Sequence, residues 1–467
     1  MNGLLYRVSY FVCLYFHLLC CSLFLRFVSI KPKLGQFDLT MIVISLVIGM
    51  GIFRTPVEVA QKAVIPEIFF VAWILGAVIS LFGALTFAEI GSRYPVAGGF
   101  YRIFSHCYHP GFAFMVNWMT VISNAASTAS VAIIGAEYVQ PILLPNIAPD
   151  FAIKIITLSS MAILYGINMM GIKMSARILN VLMIIKIALI TLLIAAVFAV
   201  PSQTESVSVT TTSLSSTDWL KAFWLCFVPV FFTYGGYQQT MNFGGDIPHA
   251  ARTMPRAIFY GITIILTLYL LVNFSYFRVL GFEGLKNSNT LAADVARVLL
   301  GDAAFKVVAI IMFLSVMAYV NASIMSNPRV YYAMAEDKVL PAIFKKVNRR
   351  TQVQEFGVSI FVAFIVLTLF FSSSFIQVLS YVMFFDSISL ITASAAIFVL
   401  RYRASKSGDP EGIFKMKGYP WMPALFIVVY TLVNISVLIS NPQESLIGFV
   451  LFLSGLPIYL GLRKIIQ

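Results

Sequence analysis

Two glycines interrupt the first long apolar run of this chain, and they restrict its possible folds more than any other feature. Gly49 and Gly51 lie within a run from Phe37 to Ala60, and roughly 20 apolar residues are enough for a helix to cross a bilayer. Glycine weakens a helix, and backbone groups without helical partners are tolerated in a membrane only where they line a cavity or bind a ligand. The interruption therefore predicts a binding site at mid-membrane.

The composition indicates an integral membrane protein. Of the 467 residues, 60% are hydrophobic and 11% are charged, whereas soluble domains are about 45–50% apolar. We expect one transmembrane domain at 31–467, preceded by an apolar extension at 1–30. The extension is an extra helix, an uncleaved signal-like segment or sequence upstream of the true start, and we favour the last and leave it out of the core. The net charge of +13 arises from short basic clusters between apolar spans, so it does not indicate a nucleic-acid partner.

About twelve apolar spans follow the extension. They are predicted at 37–63, 66–92, 110–140, 150–171, 177–200, 218–246, 256–280, 302–335, 355–372, 374–400, 419–440 and 444–463. Most Lys and Arg residues between spans fall on one side of the membrane, and the positive-inside rule makes that side cytoplasmic. We therefore expect a multi-pass plasma-membrane protein, in a bacterial inner membrane, with both ends of the core in the cytoplasm.

A second glycine pair, Gly235 and Gly236, interrupts the sixth span, five spans after the first interruption. Paired interruptions at matching places in two halves are typical of transporters with inverted repeats. We predict an all-α, five-plus-five (LeuT-like) fold with broken helices 1 and 6, repeats at 37–200 and 218–400, and two appended helices at 419–463. The alternative is that the glycines only allow helices to pack closely.

The two broken helices can bind an α-amino acid without a charged side chain. Free N–H groups at a half-helix N-terminus attract a carboxylate, and free carbonyls at a C-terminus accept hydrogen bonds from an ammonium. The candidate substrate-binding residues are Ile48, Gly49, Met50, Gly51, Ile52, Phe232, Tyr234, Gly235, Gly236 and Tyr237.

Two charged residues lie deep inside predicted spans, where a charge is costly and usually functional. Lys186 in the fifth span can place its ammonium where a sodium ion would bind, or it can release a proton during transport. The alternative for Lys186 is that its side chain extends to the membrane surface. Asp386 is a candidate proton carrier, or it is paired or protonated inside the bundle.

The cysteines and histidines follow no pattern of a metal site or an enzyme. The five cysteines have no metal-ligand or disulfide spacing, and the four histidines lie at the ends of spans or in the extension. We therefore expect no cofactor and no metal. A membrane-embedded enzyme is the remote alternative to a transporter.

Four motifs resemble the amino acid, polyamine and organocation (APC) superfamily. They are Gly49-Met50-Gly51-Ile52-Phe53 with Pro56, Phe87-Ala88-Glu89-Ile90-Gly91-Ser92-Arg93 with Gly98-Gly99, Phe232-Thr233-Tyr234-Gly235-Gly236-Tyr237, and Asn327-Pro328-Arg329. Within the superfamily the chain is similar to the L-type amino acid transporters and their bacterial relatives. The resemblance implies sodium-independent amino acid transport by alternating access, with Phe232 as a gate over the substrate and Lys186 in place of the sodium site.

Departures from the family motifs affect the expected substrate and partner. Met50 stands where serine is usual, and Tyr237 where tryptophan is usual. Animal members bond a heavy chain through a cysteine between helices three and four, but 141–150 contains none, so no such partner is expected. We predict a transporter of neutral amino acids that works by exchange or proton coupling. A transporter of cationic amino acids or polyamines is the alternative. It is disfavoured because neither break contains a carboxylate that could bind a second positive charge on the substrate.

Overall fold

The computed structural model describes residues 32–49, 51–198, 216–288, 290–371, 375–409 and 411–466. The predicted extension at 1–30 and one candidate binding residue, Met50, therefore lie outside the described residues. Within the described ranges the secondary structure consists of α-helices joined by loops and short 3₁₀ turns. The prediction of an all-α protein is confirmed.

The α-helices in chain order are α1 (Gln36–Val47), α2 (Gly51–Ala63), α3 (Pro66–Arg93), α4 (Gly99–Cys107), α5 (Pro110–Leu143), α6 (Pro149–Met169), α7 (Ile172–Ala195), α8 (Ser216–Tyr234), α9 (Ala250–Asn287), α10 (Leu291–Leu300), α11 (Asp302–Glu336), α12 (Glu355–Phe371), α13 (Phe375–Ser407), α14 (Trp421–Ser440) and α15 (Pro442–Ile466). Among the described residues, ten helical stretches are long and apolar enough to cross a membrane, with α1 and α2 counted as one stretch. Helix α8 and the shorter apolar helix α12 lie in the two remaining predicted spans, which is consistent with twelve crossings.

The first crossing is broken at the glycine motif. Helix α1 ends at Val47 and α2 begins at Gly51. The Tyr269 hydroxyl of α9 donates a hydrogen bond to the Val47 carbonyl at 3.2 Å, and Lys186 Nζ of α7 donates one to the Ile48 carbonyl. These donors bind carbonyls at the C-terminus of α1, where helical N–H partners are absent.

The sixth crossing is also broken, and its break touches the first one. Helix α8 ends at Tyr234, and a 3₁₀ turn follows at Tyr237–Asn242. Gly236 between them has a φ of 113°, a backbone conformation that residues other than glycine rarely adopt. A Cβ at Gly236 would lie 2.2 Å from the Leu46 carbonyl oxygen. Glycine is therefore required here for the two broken helices to meet.

Equivalent helices of the two predicted repeats pack against each other. The second crossing packs on the seventh (α3 on α9), and the third packs on the eighth (α5 on α11). Together with the contact between the first and sixth crossings, this pairing agrees with the predicted inverted-repeat fold.

Ion pairs distinguish the two ends of the bundle. At one end, which we call the Glu89 side, the fully buried Glu89 carboxylate pairs with Arg93 at 2.8 Å and with Arg401 at 2.7 Å. At the opposite end, the Glu137 side, a guanidinium nitrogen of Arg54 lies 3.9 Å from the Glu137 carboxylate. The network on the Glu89 side is thus the more buried of the two.

Candidate functional site

A cavity of about 50 Å³ lies where the two broken helices meet. Besides the residues of the breaks, it is lined from α5, α11, α13 and α14. The lining residues are Leu46, Val47, Gly49, Gly51, Asn124, Ser127, Val131, Phe231, Phe232, Thr233, Gly235, Gly236, Gln239, Tyr319, Asp386, Leu390 and Tyr430. We call this space the central cavity.

Glycines bring the peptide backbone to the wall of the central cavity. A Cβ at Gly51 would lie 3.0 Å from the Thr233 side chain, so a larger residue would push against the second break. A Cβ at Gly49 would meet the Tyr319 ring at 3.5 Å, an ordinary contact distance. Of the two glycines in the first break, Gly51 is therefore the more tightly packed. It lies at the N-terminus of α2, where free N–H groups and the helix dipole favour an anion.

The predicted binding residues divide into two groups in the structure. Five of them line the central cavity: Gly49, Gly51, Phe232, Gly235 and Gly236. The described residues Ile48, Ile52, Tyr234 and Tyr237 are buried and do not belong to its lining.

Two tyrosines of the second group are directed into the helical packing. The Tyr234 hydroxyl donates to the Trp73 carbonyl at 3.3 Å, and its ring lies 5.3 Å from that of Tyr269. The Tyr237 ring packs edge-on against Phe87, with 6.0 Å between ring centres. These contacts stabilise the second break from behind, and direct contact of either side chain with substrate stays a prediction.

The Lys186 side chain is enclosed by protein. Its exposed fraction is 0%, and its ammonium donates to the Ile48 carbonyl rather than reaching the membrane surface. Helix α7, which contains Lys186, packs on α1 and on α11. The ammonium thus lies beside the first break, at the free carbonyl end of α1, where a positive charge is favoured.

Asp386 on α13 lies between two cavities. It lines the central cavity and also a smaller one of about 20 Å³, which we call the lower cavity. Asn124 and Gln239 also line both. The lower cavity is otherwise lined by Phe100, Asn117, Thr120, Gln238, Asn242, Val330 and Ser389.

Sequence reasoning missed the polar residues that α5 and α11 contribute. Asn124, Ser127 and Val131 follow a helical i, i+3, i+7 spacing, so the two polar residues on an apolar span marked one face of α5. The Tyr319 hydroxyl forms a 3.2 Å hydrogen bond with the Ser127 hydroxyl. A single tyrosine in an apolar span provides no comparable signal, so Tyr319 could be found only in three dimensions.

Comparison with known proteins agrees with this architecture. A family model described as amino acid permease matches residues 34–462, which is nearly the whole chain.

Relatives match over a similar extent. The human cystine/glutamate transporter is 28% identical over 92% of this chain and 85% of its own length. The serine/threonine exchanger SteT of Bacillus subtilis is 27% identical, over 93% of this chain and 98% of its own. The rat large neutral amino acids transporter small subunit 2 is 23% identical, over 92% and 81%.

The broken helices, the cavity between them and the family match lead to one conclusion. The expectation of a transporter rather than an enzyme is confirmed, and so is the resemblance to the APC superfamily. This chain belongs to the amino acid permease family of membrane transporters.

Proposed function

We propose that this protein exchanges neutral amino acids across a plasma membrane, by alternating access and without sodium. The main support is the central cavity, where both broken helices expose backbone groups. Gly51 begins α2 and Gly235 follows the end of α8, so N–H groups and carbonyls border the same space. A zwitterionic α-amino acid needs these two environments at once.

Lys186 supports transport without sodium. Cation sites in transporters with broken helices use the free carbonyls at half-helix ends. The Lys186 ammonium already donates to one such carbonyl, that of Ile48, and it is fully buried. The ammonium at this place occupies the carbonyl that would coordinate a sodium ion, and its positive charge repels such an ion.

Exchange of neutral amino acids agrees with the names of the relatives. One relative is named an exchanger of serine and threonine, and another a transporter of large neutral amino acids.

The orientation and partners follow the sequence expectations. The segments between crossings on the Glu89 side contain Arg102, Lys346 and Arg349 among many basic residues, so we assign this side to the cytoplasm. We place the protein in a bacterial inner membrane, without a disulfide-linked heavy chain.

Uptake into sodium-free proteoliposomes tests the proposed exchange. Labelled neutral amino acid should enter only when the vesicles contain an unlabelled amino acid, and an inward proton gradient should not replace it. Uptake into empty vesicles driven by that gradient would show proton symport instead of exchange.

A matched pair of glycine variants tests the location of the site. Gly51→Leu should abolish binding because even a Cβ at this position meets Thr233 at 3.0 Å. The control is Gly166→Leu on α6, where a Cβ would have no neighbour within 4 Å. Unchanged binding by the Gly51 variant would place the substrate outside the central cavity.

A further inference from the structure

The Asp386 carboxylate lies at the central cavity without a compensating charge. Among the residues that the structure describes, none forms a hydrogen bond or an ion pair with it. The described linings of the central and lower cavities contain no Lys, Arg or His. Asp386 is partly exposed to the cavity, and a carboxylate inside a membrane bundle needs a positive partner or a proton. A cation that enters the cavity is one such partner.

A second acceptor beside Asp386 is created by a row of side-chain amides. Asn327 Nδ2 donates to the Ser323 carbonyl at 2.9 Å, and a backbone carbonyl can only accept. The Asn327 Oδ1 must then accept from Asn124 Nδ2, at 2.7 Å, and Asn124 Oδ1 accepts from Gln239 Nε2 at 3.3 Å. This direction of donation leaves Gln239 Oε1 as the terminal acceptor.

The terminal acceptor of this row has no donor. Gln239 Oε1 is buried and forms no hydrogen bond within the described part of the chain. Asn117 Oδ1 in the lower cavity is in the same situation. A buried acceptor left without a donor is unfavourable. One anion and two neutral acceptors together favour a ligand group that is positively charged and has several N–H donors.

Asp386 and Gln239 lie where the two cavities meet. Together with Asn124 they line both cavities, so a ligand side chain that extends from the central cavity toward the lower one would reach them. The α-ammonium and α-carboxylate of the same molecule would stay at the breaks, near Gly51 and Gly235. This extended arrangement fits an amino acid with a long side chain and a terminal cation.

We infer that Asp386 and Gln239 form a side-chain subsite for basic amino acids, so that the transporter accepts an ammonium or guanidinium side chain as well as neutral amino acids. The sequence disfavoured a cationic substrate because neither break contains a carboxylate. Helix α13 supplies that carboxylate from elsewhere in the chain. The inference rests on the proposed function, because it uses the breaks to bind the α-amino and α-carboxylate groups. Acidic side chains are excluded by repulsion from Asp386.

Competition between lysine and norleucine tests the subsite. Norleucine has the same four-carbon side chain without the ammonium, so the pair isolates the charge. Lysine should inhibit exchange of a labelled neutral amino acid at a concentration at least about tenfold lower than norleucine, since one charge-assisted hydrogen bond is worth about 1.5–3 kcal/mol. Glutamate should not inhibit. Equal inhibition by lysine and norleucine in the unmodified protein would overturn the inference.

Two variants then assign the preference to one carboxylate. In Asp386→Asn the ratio of norleucine to lysine inhibition should fall toward one, and Asp386→Glu should restore part of it. An unchanged ratio in Asp386→Asn would overturn the assignment. Because the ratio is measured within each variant, a lower amount of folded protein does not affect it.

Thermal stabilisation of the purified protein separates the two proposals. Lysine should raise the melting temperature more than norleucine at equal concentration, and this measurement does not depend on transport. Absence of neutral amino acid exchange would count against the proposed function. Equal stabilisation by the two ligands would count against the subsite alone.

Discussion

Lys186 on α7 donates a hydrogen bond through its ammonium to the carbonyl of Ile48, in the break between α1 and α2. The side chain is fully buried, and α7 also packs on α11. One lysine therefore connects the first break to the helices that surround the central cavity. A movement of α1 during transport must either break this hydrogen bond or move α7 as well.

Replacement of this lysine should impair transport and leave membrane insertion intact. Lys186→Ala removes a hydrogen bond from a charged donor, worth about 1.5–3 kcal/mol, which corresponds to roughly a 10- to 100-fold loss if it is needed at the rate-limiting step. The measurement is uptake per amount of protein recovered in the membrane. Lys173→Ala is the matched control, because Lys173 is exposed on the same helix. Normal transport by Lys186→Ala would mean that the lysine only fills space.

A methyl group at the contact between the two breaks should prevent them from meeting. In Gly236→Ala the new Cβ would lie 2.2 Å from the Leu46 carbonyl oxygen, and the φ of 113° is unfavourable for alanine. We expect a stability loss of about 2 kcal/mol or more, and little transport. Thermal melting and uptake measure the two effects.

The control for this substitution is a Gly→Ala change at a position where the new Cβ would contact no other atom. Gly166 on α6 has nothing within 4 Å of its Cβ position, and alanine is favoured over glycine in a helix by up to about 1 kcal/mol. Gly166→Ala should therefore melt at the same or a higher temperature and transport normally. If Gly236→Ala behaves like this control, the two breaks do not need the observed close contact.

The helices and their breaks were predictable from sequence because their signals are local. Each apolar span, and each glycine pair, is contained in one short stretch of sequence. The structure has α1 separated from α2 at Gly49 and the end of α8 next to Gly235. Asp386 was recognisable as a deep charge, since few charges occur in the apolar spans. The positions of the lipid-crossing segments thus needed no tertiary information.

The walls of the central cavity were not predictable to the same extent. Which residues meet there depends on how helices rotate and pack. Tyr237 directly follows the second glycine pair and Phe232 precedes it by three residues. Yet Tyr237 packs against Phe87, and it is Phe232 that lines the cavity. That α13 brings Asp386 to the breaks is likewise a result of packing between distant parts of the chain.

The buried carboxylate on the Glu89 side should be important for stability. Glu89 accepts hydrogen bonds from Arg93, Arg401 and the Met416 N–H, at 2.7–2.8 Å. Glu89→Gln would leave Arg401 with a neutral partner and Arg93 with Asp409 as its remaining carboxylate, and removing one member of a buried ion pair costs about 3–5 kcal/mol. We expect a markedly lower melting temperature.

An exposed glutamate provides the comparison for Glu89. Glu283 pairs with Lys286 at 2.8 Å, but its side chain is 76% exposed, and exposed pairs contribute about 0–1 kcal/mol. Glu283→Gln should leave the melting temperature nearly unchanged. Equal decreases in melting temperature for the two substitutions would show that the buried ion pairs of Glu89 contribute no more to stability than the exposed pair of Glu283.

Acid should destabilise the protein in part through His106 on α4, which lies between membrane crossings. Partial burial, followed by the nearby Arg403 guanidinium, lowers the pKa of His106 below its ordinary value of 6.5. The ring stacks on Tyr94, with 4.9 Å between ring centres, and Arg403 donates to the His106 carbonyl at 2.8 Å. Both contacts are compatible with a neutral imidazole.

The sign of the pH effect follows from this lowered pKa. Between the folded pKa and 6.5 the unfolded chain binds more protons than the folded one, so stability from the neutral ring is present above pH 6.5 and decreases as the pH falls below it. The size is small because the side chain is largely exposed. The measurement is the melting temperature of the unmodified protein and of His106→Gln from pH 8 to pH 5. As the pH falls, the melting temperature of the unmodified protein should decrease more than that of the variant. A difference that stays constant across this range would mean that His106 has the same pKa in both states.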